Sequence, residues 1–289
     1  MKLMTRLFIR NGIVVVTLTL YCALSSGCSL RNEKPAGDDL DLALAGMTGS
    51  DGVTFEGATA LLRGSDGTPY ETLYYGGKVK DHNQVTLYTL LPDSNSSKAA
   101  ATGKINKLGS AIPNKQSYYS QLKKIGGQWQ PLSQSFPQEG NPLPRLNPIY
   151  QLEELEGMDK TVTEEAGAGR GTRVLRIELS PDEAHAQLAA QLNQEMSALR
   201  SFNQTGEESQ SSANPQLNKA LETYWKKQNT ELQRKLDKAH VETVYHLNVD
   251  VKRNLPKRLA WTRTINFPGD IQKTRSETYV TQIDFYGYR

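Results

Sequence analysis

Four histidines are the first candidates for chemistry, because imidazole binds metals and transfers protons near neutral pH. No two of them show the i, i+4 spacing around a glutamate that builds a helical zinc site. Two of them stand six residues apart in one strand pattern and would share its polar face. The sequence therefore predicts solvated histidines, with no metal and no cofactor; the four are His82, His185, His240 and His246.

A second candidate is the glycine-rich stretch GAGRG at residues 167–171, because glycine loops can cradle phosphate groups. The stretch lacks the Lys-Ser/Thr pair of a P-loop and the last glycine of a dinucleotide-binding fingerprint. No helix pattern begins at its end, and the start of a helix is what binds phosphate. We interpret the stretch as a turn between two strands.

Nucleophiles and paired acids give no catalytic pattern. The chain has no Gly-x-Ser-x-Gly elbow, and no Ser-x-x-Lys in a setting that would activate the serine. The acid pairs Glu153-Glu154 and Glu164-Glu165 are adjacent in sequence, so their side chains do not face one another on a helix or a strand. We predict that the protein is not an enzyme. One alternative stays open: a hydrolase of cell-envelope polymers, whose catalytic carboxylates would come from residues far apart in the sequence.

Aromatic residues are the more informative set, because 13 Tyr and 3 Trp outnumber 6 Phe. Rings with one polar end suit the wall of a cavity for a lipid-like ligand, and they suit an ordinary sheet core equally well. Both interpretations stay open at this point. The candidate ligand-lining residues are Tyr74, Tyr88, Trp129, Leu192, Trp225 and Trp261.

The first 27 residues have the layout of a secretory signal peptide. Lys2, Arg6 and Arg10 precede an apolar run of about a dozen residues, whereas a permanent transmembrane helix needs roughly 20. The following LSSGC resembles the lipobox of bacterial lipoproteins, which implies a diacylglyceryl group on the thiol of Cys28 and cleavage before it. Ser25 departs from the leucine preferred there. The alternative is an ordinary secretory signal with an incidental cysteine.

Removal of residues 1–27 changes the charge of the chain. The three lost basic residues account for the whole excess of 34 basic over 31 acidic side chains, so the mature protein is formally neutral. A neutral protein does not call for a nucleic-acid partner. Since Cys22 lies in the signal and Cys28 would carry lipid, no thiol remains for a disulfide or a metal.

The mature chain reads as a tether followed by one domain. Residues 28–50 are small, charged or turn-forming and predict a spacer, with a short helix around Leu40 to Met47. Residues 51–289 form a single domain of about 240 residues. Segments rich in β-branched and aromatic residues alternate there with turns and predict an antiparallel sheet. They lie at 53–63, 70–79, 84–91, 117–125, 160–165, 173–179, 241–251, 259–267 and 279–285.

Three helices are predicted in the middle of the domain, since capping residues precede proline at Asn147-Pro148, Ser180-Pro181 and Asn214-Pro215. The second and third, at 180–200 and 214–238, carry long apolar stripes, which indicates that they lie on a core. A polar loop at 201–213 joins them. The fold class is therefore α+β, with a long antiparallel sheet curled over a few helices.

This order of elements resembles the LolA/LolB and LppX/LprG superfamily of lipoprotein-carrier-like proteins over residues 51–289. Gly126-Gly127-Gln128-Trp129 and the helix after Asn147-Pro148 look most like exported lipoproteins of Gram-positive bacteria in this group. The resemblance implies an unclosed β-barrel with helices on its concave face. It also implies a site for acyl chains or lipoproteins there.

These features predict an extracytoplasmic lipoprotein, held through Cys28 on the outer face of the cytoplasmic membrane. Its domain would bind a lipid or acyl ligand, or a lipoprotein, between sheet and helices. The alternative is a structural or interaction lipoprotein of cell-envelope or sporulation assembly. In that case the long helices fill the core and the partner is an envelope protein.

Overall fold

The computed structural model describes residues 34–63, 68–90, 117–132, 141–205, 215–267 and 275–289. The predicted signal peptide, Cys28, Asn214 and the turn at 64–67 lie outside these ranges. So does most of the loop predicted at 201–213, whose first residues continue a helix to Thr205.

Ten strands form one antiparallel sheet in the order β5-β4-β3-β2-β1-β10-β9-β8-β7-β6. Strands that follow one another in the chain are neighbours in the sheet, except β5 and β6, and β1 pairs with β10 in the middle of the sheet. The sheet is unclosed, with β5 and β6 at its edges, which confirms the predicted α+β class. The strands are β1 Gly52–Arg63, β2 Thr68–Lys80, β3 Gln84–Thr89, β4 Tyr119–Ile125, β5 Gln128–Pro131, β6 Lys160–Glu164, β7 Thr172–Leu179, β8 His240–Asp250, β9 Leu255–Phe267 and β10 Arg275–Tyr286.

The inward face of the sheet, the one that carries the helices, follows from alternation along each strand. In β8 every second residue is buried, from Val241 to Val249. Strand register then lines up inward residues across the sheet. Ile283, Leu259, Leu247 and Leu175 lie side by side on four neighbouring strands, and all four are fully buried. Continuous apolar rows of this kind hold the sheet to its helices.

Four α-helices occur among the described residues: α1 Ala36–Thr48, α2 Pro148–Gly157, α3 Pro181–Thr205 and α4 Pro215–Leu236. A short 3-10 helix, Leu143–Leu146, precedes α2. The predicted caps form where they can be seen. The Asn147 side chain accepts from Ile149 N at 3.1 Å, and Ser180 Oγ accepts from Glu183 N at 3.3 Å. Proline at the first helical position leaves these bonds undisturbed.

The sheet is strongly curled, because two short helices connect its opposite edges. Helix α1 contacts the edge strand β6 and also helix α2. Helix α2 reaches the other edge, where Glu153 Oε2 accepts from the Trp129 indole of β5 at 3.0 Å. A flat sheet of this size would hold its edges roughly 43 Å apart, whereas two packed helices and their contacts span roughly 30 Å. The helices therefore lie on a concave face.

Helix α1 corrects the predicted domain boundary. The sequence assigned residues 28–50 to a spacer, yet the compact unit begins at Ala36. Leu40, Ala43 and Met47 are buried in the core. Gly46 lies so close to the β8–β9 turn that a Cβ there would stand 2.4 Å from the Asn254 carbonyl oxygen. The apolar stripe of α1 is only about three turns long. From the sequence alone, a stripe of this length does not distinguish a packed helix from a spacer that tends to be helical.

Helices α3 and α4 form a hairpin that only partly covers the sheet. Near its start, α3 buries Ala184 and Leu188 against β8, and α4 buries Leu236 at its end. Farther along the hairpin the helices contact mainly each other, so Leu221 is 42% exposed and Tyr224 is 64% exposed.

Tyr75 is a fully buried residue on the inward face. Its ring lies over Gly57, where an added Cβ would be 3.1 Å from the phenol oxygen. The hydroxyl has no hydrogen-bond partner among the described residues, and burial raises the pKa of Tyr75. A buried unpaired hydroxyl costs free energy that an apolar ring would not.

Tyr75→Phe is therefore expected to raise the free energy of unfolding by about 1 kcal/mol, measured by urea denaturation. Tyr245→Phe is the matched control, because its hydroxyl exchanges hydrogen bonds with Gln187. The control should lower stability by about 1 kcal/mol. Equal losses in the two variants would contradict this account of Tyr75.

Candidate functional site

Trp129 and Trp261 both face the concave side and contact helix α2 through their indole N–H groups. Trp261 Nε1 donates to Gln151 Oε1 at 3.2 Å, and Trp129 Nε1 donates to Glu153 Oε2 at 3.0 Å. Lys124 of β4 pairs with the other oxygen of Glu153 at 2.9 Å. Two of the predicted lining residues, one on β5 and one on β9, therefore contact the same short helix, α2.

Leu192 and Trp225 lie on the α3–α4 hairpin. Leu192 is half-buried and packs against the edge of the core. The Trp225 indole N–H donates to the Met196 carbonyl of α3 at 3.4 Å, so this ring helps to join the two helices. Trp225 is thus placed on the hairpin and not on the sheet that carries Trp129 and Trp261.

Tyr74 and Tyr88 lie on the outward face, opposite the helices. Strand register places Tyr74 opposite Ala58 and Tyr88 opposite Gly76, both outward positions. A Cβ on Gly76 would lie 3.3 Å from the Tyr88 ring, which covers that glycine. This corrects the prediction for these two residues: they cannot line a space between sheet and helices. A shift of one residue along a strand moves a side chain to the opposite face of the sheet. The aromatic composition does not determine which face each tyrosine occupies.

The concave side holds a residue that was not predicted as a site, Arg263 of β9. Its side chain is inward, between Trp261 and Ile265 in the alternation of the strand, and the residue is only 6% exposed. A guanidinium group stays charged in proteins and is rarely buried unless it is paired.

Neutral oxygens hold this guanidinium group. Nη2 donates to Gln187 Oε1 at 2.6 Å and Nη1 donates to Gln191 Oε1 at 2.9 Å, both on helix α3. Nε donates to Thr243 Oγ1 of the neighbouring strand at 3.3 Å. On one side, the Trp261 ring centroid lies 5.6 Å from the guanidinium carbon, within the range of a cation–π contact.

The charge of Arg263 is not neutralised by an ion pair with the described residues, since its hydrogen-bond partners Gln187, Gln191 and Thr243 are all uncharged. Glu154 of α2 acts on it only from farther away, and burial lowers the pKa of Arg263. Removing an unpaired cation from water costs several kcal/mol even after relaxation. The cluster is therefore an electropositive spot inside an apolar face.

Tyrosine and threonine side chains extend this polar spot. Tyr245 lies next to Trp261, with ring centroids 6.3 Å apart, and burial raises its pKa. In the row that runs through Trp261, Thr281 Oγ1 donates to Thr59 Oγ1 at 2.9 Å. We call the group formed by Arg263, Gln187, Gln191, Thr243 and Tyr245 the arginine cluster.

The arginine cluster had a signal in the sequence. The alternating residues of β9 are Leu259, Trp261, Arg263, Ile265 and Phe267, and only one of these inward positions carries a charge. A charged residue at a core position breaks the apolar pattern of the strand, and such exceptions are expected at functional or strained sites.

The other candidates for chemistry lie apart from the cluster. The Gly167–Gly171 stretch is the β6–β7 turn, as predicted, and Gly167 and Gly171 have φ angles of 90° and 76°. His246 pairs with Glu165 at 3.2 Å and His240 with Glu242 at 3.1 Å on the outward face. The described part of the chain contains no group of three metal-ligating side chains, and it contains no helix long and apolar enough to span a membrane.

Comparisons with known proteins give distant likenesses of structure. No family model and no curated protein sequence matches the chain. A structure titled lipid-protein interactions in lipovitellin has a TM-score of 0.33 at 9% identity over 82% of this chain, which spans only 25% of that one. LprF from Mycobacterium bovis has a TM-score of 0.32 at 11% identity, covering 88% of this chain and 92% of LprF.

The LolA superfamily protein NE2245 from Nitrosomonas europaea has a TM-score of 0.24 at 10% identity, covering 89% of this chain and 94% of that one. Similarity this low carries no argument about function. Membership of the superfamily that the sequence resembles therefore stays a prediction.

Glu153→Ala tests the contact between α2 and the sheet edge. Loss of the Lys124 and Trp129 contacts should lower the free energy of unfolding by about 1 kcal/mol. It should also shift Trp129 emission to longer wavelength, measured with Trp225 and Trp261 replaced by Phe. Glu156→Ala, an exposed acid on the same helix, is the control and should leave both quantities unchanged. An unshifted emission spectrum in Glu153→Ala would contradict the contact.

Proposed function

We propose that this chain is an extracytoplasmic lipoprotein, anchored to the outer face of the cytoplasmic membrane through lipid on Cys28. Its domain binds a lipid or acyl ligand between the concave face of the sheet and helix α3. The sequence features supporting the anchor are the basic start, the short apolar run and the LSSGC stretch.

The observation that carries the binding function is the seam between α3 and the sheet. Long polar side chains, rather than closely packed apolar ones, connect Gln187 and Gln191 to Arg263 across this seam. Half-buried apolar side chains border the seam, namely Trp261, Tyr279 and Leu192. Hydrogen bonds of this type exchange for ligand or water contacts at low cost, whereas apolar packing does not.

The ends of this seam suit an amphiphile. Trp261 and Tyr279 offer apolar area beside the polar cluster, which is the usual composition of a pocket that orients a ligand with one polar end. Only seven residues separate Cys28 from the start of α1 at Ala36, and a chain of that length extends at most about 25 Å. An anchored domain would therefore stay close to the membrane that supplies its ligand.

Cys28→Ser tests the anchor. The variant should accumulate as a soluble or unprocessed protein, because a serine hydroxyl cannot receive the diacylglyceryl group. Fractionation of cells and mass spectrometry of the N-terminus measure both properties. A variant that is cleaved normally and stays on the membrane would refute the assignment.

Lipid mass spectrometry of the purified full chain tests the binding function. Wild type and Tyr74→Ala should copurify with equal amounts of noncovalently bound lipid, because Tyr74 lies on the outward face. Trp261→Ala should retain severalfold less, since it loses the largest aromatic surface at the seam. Absence of bound lipid from every sample would end the carrier hypothesis.

A second candidate function, a structural or interaction lipoprotein, is favoured by the surface of the hairpin. Leu221 and Tyr224 are exposed on α4, and a shallow depression there is lined by Gln216, Lys219, Ala220, Thr223, Tyr224 and Lys227. Exposed apolar side chains in such a place are typical of protein contacts. Leu221→Ser with Tyr224→Ser should then break a complex with an envelope protein on native gels while lipid content stays constant.

A further inference from the structure

We propose that Arg263 binds the anionic headgroup, a carboxylate or phosphate, of the ligand held between sheet and helix α3. The headgroup oxygens replace the amide oxygens of Gln187 and Gln191 on the guanidinium group. This inference rests on the proposed function for the ligand tail, and it adds the chemical class of the headgroup.

The charge balance of the cluster supports an anion. Arg263 is only 6% exposed, and its guanidinium group is hydrogen-bonded only to uncharged oxygens among the described residues. A carboxylate or phosphate adds the attraction of opposite charges to these hydrogen bonds, which a neutral amide oxygen does not provide. An anion at this position gains that attraction, and it also offsets the cost of burying an unpaired charge.

The geometry of the two glutamines supports a bidentate anion. Gln187 and Gln191 are one helical turn apart, so both side chains leave the same face of α3. Their oxygens lie 2.6 and 2.9 Å from two different terminal nitrogens of Arg263. Two oxygens on the two terminal nitrogens is the arrangement in which carboxylates and phosphates bind arginine. The amides therefore occupy the positions that the two oxygens of one anion would take.

Aromatic groups beside the cluster accommodate the start of an acyl tail. The Trp261 ring flanks the guanidinium group, and the Tyr245 ring lies next to Trp261. Leu192 and Tyr279, which are only half-buried, offer further apolar area beside the charge. An amphiphile with its headgroup on Arg263 would thus place its chain against apolar side chains.

A purely structural role for Arg263 makes a different prediction. In that case the arginine only fixes α3 to the sheet, and the cluster has no preference for an anion over a neutral or cationic amphiphile. The two roles are distinguished by affinities for probes that share one tail and differ in headgroup.

The experiment uses the full chain carrying Cys28→Ser and measures Kd by calorimetry for dodecanoate, dodecyl phosphate, dodecanol, dodecyltrimethylammonium and inorganic phosphate. Dodecanoate or dodecyl phosphate should bind about tenfold or more tighter than dodecanol, and dodecyltrimethylammonium should bind least. The tighter of the two anions identifies the headgroup. Inorganic phosphate that binds as tightly as dodecyl phosphate would overturn the proposal, because the tail would then contribute nothing.

Variants identify the residue responsible. Arg263→Gln should reduce the preference for the anion over dodecanol to within about twofold. Arg258→Gln is the control, since Arg258 pairs with Asp284 on the outward face at 2.5 Å. Gln187→Ala with Gln191→Ala keeps the arginine and removes its competing oxygens, so anion affinity should rise severalfold.

The outcomes distinguish failure of the proposed lipid-binding function from failure of the proposed role of Arg263. If dodecanol and the anions all fail to bind, the proposed function is refuted together with this inference. If dodecanol binds and the anions bind no better, or if the double glutamine variant loses stability without gaining anion affinity, only the role of Arg263 is refuted.

Discussion

The burial of one guanidinium group constrains how this protein is assembled. Arg263 stands at an inward position of β9, so its charge has to be satisfied inside the concave side of the sheet. Helix α3 provides Gln187 and Gln191, and β8 provides Thr243. These requirements explain why the first turns of α3 combine buried Ala184 and Leu188 with glutamines that face the sheet. An apolar helix at this place would leave the cation without acceptors, a far larger cost than a modest loss of packing.

The curl of the sheet gives that cation its enclosure. Ten antiparallel strands in one unclosed sheet have two unpaired edges, which are a liability for aggregation. Helices α1 and α2 contact each other and reach opposite edges, so they hold the edges together and cover part of the inward face. The same α2 contacts Trp261 through Gln151, which joins the edge contacts to the arginine cluster. The enclosure and the cluster are therefore parts of one connected arrangement.

Local signals predicted most of the fold, and long-range register decided what they missed. Nine of the ten strands, all but the short edge strand β5, and the caps at Asn147 and Ser180 follow from alternation and capping chemistry within a few residues. The outward position of Tyr74 and Tyr88 depends on pairing between strands, which no local pattern fixes. The packing of α1 depends on residues more than a hundred positions away, such as Arg173, which pairs with Asp39. Trp261 was predicted as a lining residue from its aromatic side chain. Arg263 could have been predicted only from the presence of a charge at an inward position of a strand.

The central claim is that the arginine cluster is a site for an anion, with two glutamine amides in the places of its oxygens. The most direct test follows the Arg263 Nη–Hη resonances by nuclear magnetic resonance, assigned with Arg263→Gln, during titration with dodecanoate or dodecyl phosphate. The account predicts a large saturable shift of these resonances, and of the side-chain amide signals of Gln187 and Gln191, as the hydrogen bonds between them are replaced. Unchanged Arg263 and glutamine side-chain signals at saturating ligand would contradict the claim.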